Sequence, residues 1–588
     1  MSVSQVAERS AAYALQTEAE PAFGASFDLL ATAPQGVAKL RQLVLSFAIR
    51  GQLVPQSSGD GSASSLLKHI REERQRLESG GALKRKSAAF VNHAEEWAEL
   101  PESWAWSCLA SVGVINPRND ASDDTVASFV QMSSVPVTLM ESHKTERRLW
   151  CEIKSGFTHF AEGDVGVAKI TPCFENGKST VFRNLENGIG AGTTELHVVR
   201  PLASISPDYI LVFLKSPEFL LPGEKGMTGS AGQKRLSRHY FETRALPLPP
   251  LAEQARIVAR VEELMQLCDA LEAHGRLQDE QHARLVTTLF NTLAASESAQ
   301  ALAENWQRIA THFDLLLDRP EAADTLEQTL LQLAVRGLLV PQDPTDEPAS
   351  QLLDRIRAEN DRLIEAGLFK RSKALPDVTA DEQAFESPVG WQWARIDDYC
   401  EVQGGIQKTP LRRPVKHHFP YLRVANVQRD ALDLGTLERY ELSDEEVERW
   451  RLRSGDLLIV EGNGSEKEIG RCAIWRGEVD PCVFQNHLIR VRPLLVAEAV
   501  EFLQLFLNSP DGATEMKRLA ITTSGLYNLS VGKIRNLAAP VPPLAEQHRI
   551  LARVEQLRRL CAELRERLQQ SCTTRSRLAD ALVAQAGT

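Results

Sequence analysis

The side chains in this sequence best suited to chemistry sit in polar, turn-rich loops, and their chemistry is recognition. Lys169-Ile-Thr-Pro-Cys-Phe-Glu-Asn-Gly-Lys-Ser179 offers Lys169, Thr171, Asn176 and Lys178, and Thr228-Gly-Ser-Ala-Gly-Gln-Lys-Arg235 offers Gln233, Lys234 and Arg235. Farther on, Gln407-Lys-Thr-Pro-Leu-Arg-Arg413 carries Lys408, Arg412 and Arg413, followed by Arg423. Glu461-Gly-Asn-Gly-Ser-Glu-Lys-Glu-Ile-Gly-Arg471 carries Asn463, Lys467 and Arg471, and Thr522-Thr-Ser-Gly-Leu-Tyr-Asn528 ends in Tyr527 and Asn528. Cationic forks and ammonium groups meet phosphates and guanine edges, amides pair with adenine, and small residues let the backbone come close to a ligand.

Catalytic patterns are missing. Gly177-Lys178-Ser179 resembles the tail of a phosphate-binding loop, but Pro172 stands where its opening glycine is required. Glu152-Ile-Lys154 has the carboxylate and lysine of a nuclease pair without a Pro-Asp before it, and the adjacent His417 and His418 have poor metal spacing. The chain has no adenine-methyltransferase tetrapeptide, no Walker motif and no nucleophile elbow. Its nine cysteines are scattered and never form Cys-x-x-Cys, so neither a disulfide framework nor a zinc site is indicated. Catalytic residues, metal and resident cofactor are therefore all expected to be none.

What must position the loops is a frame that occurs twice. Pro-Pro-Leu-Ala-Glu-Gln begins at Pro249 and returns 293 residues later at Pro542, and each copy opens a helix. Ile257, Val261, Leu264, Cys268 and Leu271 advance by steps of four and three, as do Ile550, Val554, Leu557, Cys561 and Leu564, giving two apolar seams suited to pairing with each other. The prolines and Glu253 or Glu546 favour the helix N-termini, and Gly275 is the residue that would weaken the first helix. Leu-Arg-Gln-Leu-Val-Leu-Ser-Phe-Ala-Ile-Arg-Gly-Gln-Leu-Val-Pro-Gln from Leu40 returns as Leu-Glu-Gln-Thr-Leu-Leu-Gln-Leu-Ala-Val-Arg-Gly-Leu-Leu-Val-Pro-Gln from Leu326, and the tryptophan pairs Trp104/Trp106 and Trp391/Trp393 follow. Between these flanks lie two middles of about 140 residues with little mutual similarity, which is the pattern of separate readout tasks on a duplicated frame and equally that of plain divergence after an old duplication. Strands are expected at Val165–Ile170, Glu195–Val199, Tyr421–Val427 and Gly455–Val460.

The resulting division is an N-terminal extension over 1–35, a helical lead-in over 36–96, a readout domain over 97–248 and a spacer helix over 249–296. A second lead-in (297–383), readout domain (384–541) and spacer helix (542–588) repeat that order. A net charge of −11 argues against nonspecific coating of nucleic acid and suits protein partners on the helical frame. Without a membrane-length apolar run or a signal-peptide pattern, the reading is a cytoplasmic protein.

The Trp-x-Trp, the Gly-Asp-Val/Leu strand, the exit Leu-Pro-Leu-Pro-Pro-Leu-Ala-Glu-Gln (Ala-Pro-Val-Pro-Pro-Leu-Ala-Glu-Gln in its second copy) and Arg-Gly-x-Leu-Val-Pro-Gln, each present in both halves, resemble the specificity subunits of Type I restriction-modification systems. The resemblance covers nearly the whole chain from about residue 36. It implies a mixed α/β (α+β) fold in which two globular target recognition domains are joined by two long antiparallel helices, a coiled-coil-like spacer with an internal pseudo-two-fold repeat. It also implies that each domain reads one half of a split DNA sequence. Two methyltransferase subunits would grip the frame and restriction-translocase subunits would join them. S-adenosylmethionine, ATP and magnesium would be bound by those partners. A coiled-coil scaffold without DNA readout explains the seams but not the matched polar loops, and a stand-alone DNA-modifying enzyme would need the catalytic motifs that are absent.

Overall fold

Two long helices, Leu251–Ala294 of 44 residues and Leu544–Ala586 of 43, dominate the computed structural model. It describes residues 30–81, 97–230, 232–366, 375–462, 468–520 and 528–586. Two compact units result, one from the described residues up to Gln278 together with those from Cys572 onward, the other from Asp279–Ser571. Each long helix begins in one unit and ends in the other. The first runs unbroken through Gly275, whose propensity cost of about 1 kcal/mol is small beside the packing at both ends. None of the described helices is long and apolar enough to cross a membrane.

The seams do not zip onto one another along their length. Ile257 and Val261 are buried in the core of the first unit with Met265, and Ile550 and Val554 in the core of the second. The helices meet farther along. In the first unit Cys268 and Leu271 pack with Ala579 and Val583, on Leu30 and Leu40. In the second unit Cys561 and Leu564 pack with Val286 and Phe290. Each time the middle of one helix meets the end of the other, which makes the pair antiparallel. Leu264 and Leu557 are only half-buried, since a straight helix of 3.6 residues per turn drifts away from a strict seam. All nine cysteines are free, and Cys268 and Cys561 are small core residues.

The doubled motifs are the polar joints of this frame. Glu253 is buried and accepts hydrogen bonds from Trp104 Nε1 at 2.9 Å and Gln56 Nε2 at 2.6 Å. Glu546 accepts from Trp391 Nε1 and Gln342 Nε2 at the same distances. The Trp-x-Trp, the closing glutamine of Arg-Gly-x-Leu-Val-Pro-Gln and the glutamate of the spacer helix are thus one joint, built twice. Burial pushes both carboxyls above the ordinary carboxylate range while the two donors oppose it. Gln254 and Gln547 turn back to donate to the carbonyls of Pro249 and Pro542.

The glycine of the same motif is dictated by space. Gly51 and Gly337 have φ of 73° and 70°, and a Cβ there would lie 2.5 Å from Pro101 Cγ and 2.7 Å from Pro388 Cγ. Gly337→Ala is expected to destabilise the second unit by about 2 kcal/mol, from left-handed backbone strain and the clash with a rigid ring. An unchanged urea midpoint would count against this account.

The two middles share a topology that their sequences conceal. In the first unit Gly113–Ile115, Leu196–Pro201, Val165–Ala168 and Ser179–Val181 form an antiparallel sheet in that order. In the second, Cys400–Gly404, Leu488–Pro493, Asp456–Val460 and Cys472–Trp475 repeat it. The Gly-Asp motif opens the third strand of each: Asp164 takes Arg200 in a two-pronged pair at 2.8 Å, and Asp456 takes Arg492 at 2.6 Å. A second sheet pairs Val126–Val130 with Glu146–Leu149 and, in parallel, with Ile189–Gly192, which Thr158–Ala161 extends. Its counterpart pairs His418–Leu422 with Glu438–Glu441 and Val483–Phe484. The strand expected over Tyr421–Val427 therefore stops at Leu422. There Asn426 accepts from the Arg423 amide and donates to the Asp433 and Thr436 carbonyls, closing a 3₁₀ turn, Val424–Asn426, instead.

Candidate nucleic-acid interface

Two of the polar loops in the first unit are stitched into one edge. The first spans 169–178, between the hairpin strands Val165–Ala168 and Ser179–Val181. The second, Thr228–Arg235, folds back on itself through paired Thr228 and Arg235 backbones, and Arg235 also bridges to Ile170. Thr171 seals the join, because its amide donates to the Lys234 carbonyl and its hydroxyl accepts from the Lys234 amide, both at 3.1 Å. Lys169 accepts from the Leu236 amide at 2.7 Å. Residues 63 and 65 apart in sequence thus form a single surface on which Asn176, Gln233, Lys234 and Arg235 are exposed.

Two of the cationic candidates are already engaged. Lys178 Nζ donates to the Met132 carbonyl at 2.8 Å, tying the loop to the segment behind it. The Arg235 guanidinium forms a double contact with Glu195, Nε to Oε2 at 3.0 Å and Nη2 to Oε1 at 2.9 Å, which holds the Glu195 carboxyl below its usual range.

The second unit neutralises its cations in the same manner. Lys408 and Arg423 converge on Glu438, at 3.2 and 2.6 Å. Glu438 also accepts from the Tyr421 hydroxyl, and that ring stacks on Tyr440. Arg412 pairs with Glu446 at 2.9 Å, and Arg413 is exposed. Arg471 is buried, with its guanidinium on Glu468 and the Val424 carbonyl, which is a structural arrangement. Asn528 is exposed, and its carbonyl accepts from Lys533. Asn463, Lys467 and Tyr527 lie outside the described residues.

The acidic partners Glu195, Glu438 and Glu446 were missed by reading loops for cations alone. Each of these ion pairs is only partly buried. A partly exposed ion pair is worth roughly 0–1 kcal/mol, and a two-pronged contact of arginine with guanine discriminates by about 1–3 kcal/mol. A cavity of about 380 Å³ in the first unit, lined by His143, Arg183 and Asp208 and floored by Val258, Val261 and Glu262 of the long helix, contains none of the candidate DNA-contact residues. Among the described residues no cluster of His, Cys, Asp and Glu is arranged to hold a metal ion.

Comparison with known proteins agrees along the chain. The model of the Type I restriction modification DNA specificity domain matches residues 388–573. The chain is 39% identical over 559 residues to the Type I restriction enzyme EcoEI specificity subunit of Escherichia coli, covering 93% of both chains. It is 39% identical over 584 residues to the EcoAI specificity subunit of the same organism, covering 97% of this chain and 96% of the relative.

Proposed function

The chain belongs to the specificity subunits of Type I restriction-modification enzymes, and from that premise we propose that it reads a two-part, asymmetric DNA target with one module per half-site. The observation that carries this reading is a frame built twice with the same joints and carrying two unlike sets of polar loops. The readout domains are 97–248 and 384–541. Asn176, Gln233, Lys234 and Arg235, supported by Lys169, Thr171 and Lys178, serve one half-site. Lys408, Arg412, Arg413, Arg423, Asn463, Lys467, Tyr527 and Asn528 serve the other, with Arg471 buried on Glu468 and the Val424 carbonyl.

The long helices set the gap. At about 1.5 Å per residue, 44 helical residues extend about 66 Å, against on the order of 34 Å for one turn of DNA. The lead-in segments 36–96 and 297–383 and the helices 249–296 and 542–588 hold two methyltransferase subunits, which restriction-translocase subunits join. S-adenosylmethionine, ATP and magnesium reside on those partners, and this chain supplies the address without performing a reaction, in the cytoplasm. Its net charge of −11 fits DNA contact confined to two local edges.

Co-expression with the partner subunits followed by mapping of methylated bases tests the reading. The expected result is a two-part motif with a fixed gap, and the double variant Lys234→Ala, Arg235→Ala should lose about tenfold in preference within one half only. Unchanged preference in both halves would remove that loop from the readout set. A complex that retains no DNA sequence selectively would leave a scaffold alone.

A further inference from the structure

In each unit the same position of the frame reaches under the readout hairpin with a buried hydrogen-bond donor. Helix Pro207–Lys215 ends in Lys215-Ser-Pro, and helix Glu498–Asn508 ends in Asn508-Ser-Pro, 293 residues later, the displacement that also relates Pro249 and Pro542. Ser216 and Ser509 close the two helices identically, each hydroxyl donating at 2.7 Å to the carbonyl three residues back. The last helical side chains then turn inward. Lys215 Nζ donates to the carbonyls of Gly177 at 2.9 Å and Val137 at 2.8 Å. Asn508 Nδ2 donates to the Cys472 carbonyl at 3.1 Å and to Asp430 Oδ1 at 2.6 Å.

The targets correspond in the fold. Gly177 and Cys472 lie where the hairpin chain returns to its second strand, Ser179–Val181 or Cys472–Trp475. Val137 and Asp430 lie in the segments that follow Val126–Val130 and His418–Leu422. The residues differ because their surroundings do. Asp430 gives its other carboxylate oxygen to Arg558 of the second long helix at 2.7 Å, so a neutral amide suffices beside it. Lys215 meets two uncharged carbonyls and makes no ion pair among the described residues. Its burial, at 7% exposure, pushes the ammonium pKa down to about 7, so this lysine is kept at a cost to stability that an unbranched apolar chain would avoid.

We propose that Lys215 and Asn508 are positioning residues for DNA readout, each locking the returning limb of its own module's hairpin so that it governs one half-site and not the other. This rests on the two-half-site reading above. Neither residue touches DNA in this scheme, and each acts through the backbone it holds.

The test uses the full complex with its methyltransferase partners, carrying Lys215→Met or Asn508→Leu, which keep the packing volume and delete the donor. Methylated sites are mapped, and amide exchange is followed at residues 174–179 and 472–475. Lys215→Met is expected to broaden base preference about tenfold within one half-site and to speed exchange at 174–179, with the other half-site read as in the wild type. Asn508→Leu should do the reverse. A general loss of stability would weaken both halves together, so equal weakening overturns the proposal, as does unchanged readout in a folded variant. If either variant fails to fold, Lys215→Gln and Asn508→Ala replace them and are judged by the same asymmetry. A wild-type complex without a two-part motif, seen before any substitution, would sink the proposed function itself and this inference with it.

Discussion

Replacing Glu546 with alanine is expected to cost the second unit about 3–4 kcal/mol, the largest single effect of any substitution in the frame. The carboxylate is buried and is the acceptor for both Trp391 Nε1 and Gln342 Nε2. Its removal leaves Trp391 Nε1 without a partner and Gln342 Nε2 with the Gly337 carbonyl alone, at about 1–3 kcal/mol for the orphaned indole, and adds the cost of the gap where the side chain stood. Part of that cost is offset, because burial already disfavours the charged carboxylate, as its raised pKa records. Glu546→Gln keeps one oxygen as acceptor and relieves the buried charge, so it should lose about half as much. Urea unfolding followed by amide exchange, which assigns the loss to a unit, makes the comparison. Glu253→Ala should reproduce the effect in the first unit, where Trp104 and Gln56 are the donors. A loss below about 1 kcal/mol in both would mean that the doubled signature is not what joins lead-in, tryptophan and spacer helix.

The joints of the frame are legible in the sequence. Three motifs present in both halves mark joints in which separate chain segments meet with fixed geometry. Glu253 and Glu546, Gly51 and Gly337, and Asp164 and Asp456 all have partners distant in sequence. Repetition revealed them because the same packing problem was solved twice. The pairing of the long helices was not legible in detail, because the seam pattern is alike wherever an apolar face is buried. Ile257 and Ile550 serve the cores of their own units, whereas Cys268 and Cys561 serve the helix pair. The shared strand order of the middles was also hidden, since sheet pairing depends on which faces are buried and leaves residue identity free. Cation-rich loops pointed to candidate contacts, but the glutamates that occupy those cations come from other strands, and a loop read alone does not contain them. Lys215 lay in plain view at the position of Asn508, but a lysine at a helix end reads as solvated until its burial is known.

Acidification is expected to loosen the first unit's candidate edge through His197. The imidazole is buried against Phe241, with ring centroids 5.1 Å apart, and its Nε2 lies 3.2 Å from the Leu236 carbonyl. The neutral tautomer with a proton on Nε2 donates that bond. Nδ1 is buried and has no partner among the described residues, so a second proton would place an unsatisfied charge in the core. Burial, together with Lys169 and Arg238 nearby, brings the pKa down from 6.5 to about 4. Because the folded value lies below the unfolded one, the unfolded chain binds more protons between pH 6.5 and 4. The stability that His197 confers is whole above pH 6.5 and is lost as pH falls through that window, to a total of about 3 kcal/mol below pH 4. Leu236 also donates its amide to the Lys169 carbonyl, so charging His197 acts on the stitch between the two loops. His197→Gln offers a donor that does not titrate, and the difference between wild type and variant over pH 7 to 4 isolates this group from the carboxylates that also titrate there. The strand register places Ile489 in the second unit where His197 stands in the first, so that unit lacks the sensitivity. In the assembled complex, recognition of the first module's half-site should therefore weaken at pH 5 before that of the second. Parallel loss in both halves, or a His197→Gln variant with the wild-type pH profile, would rule this out.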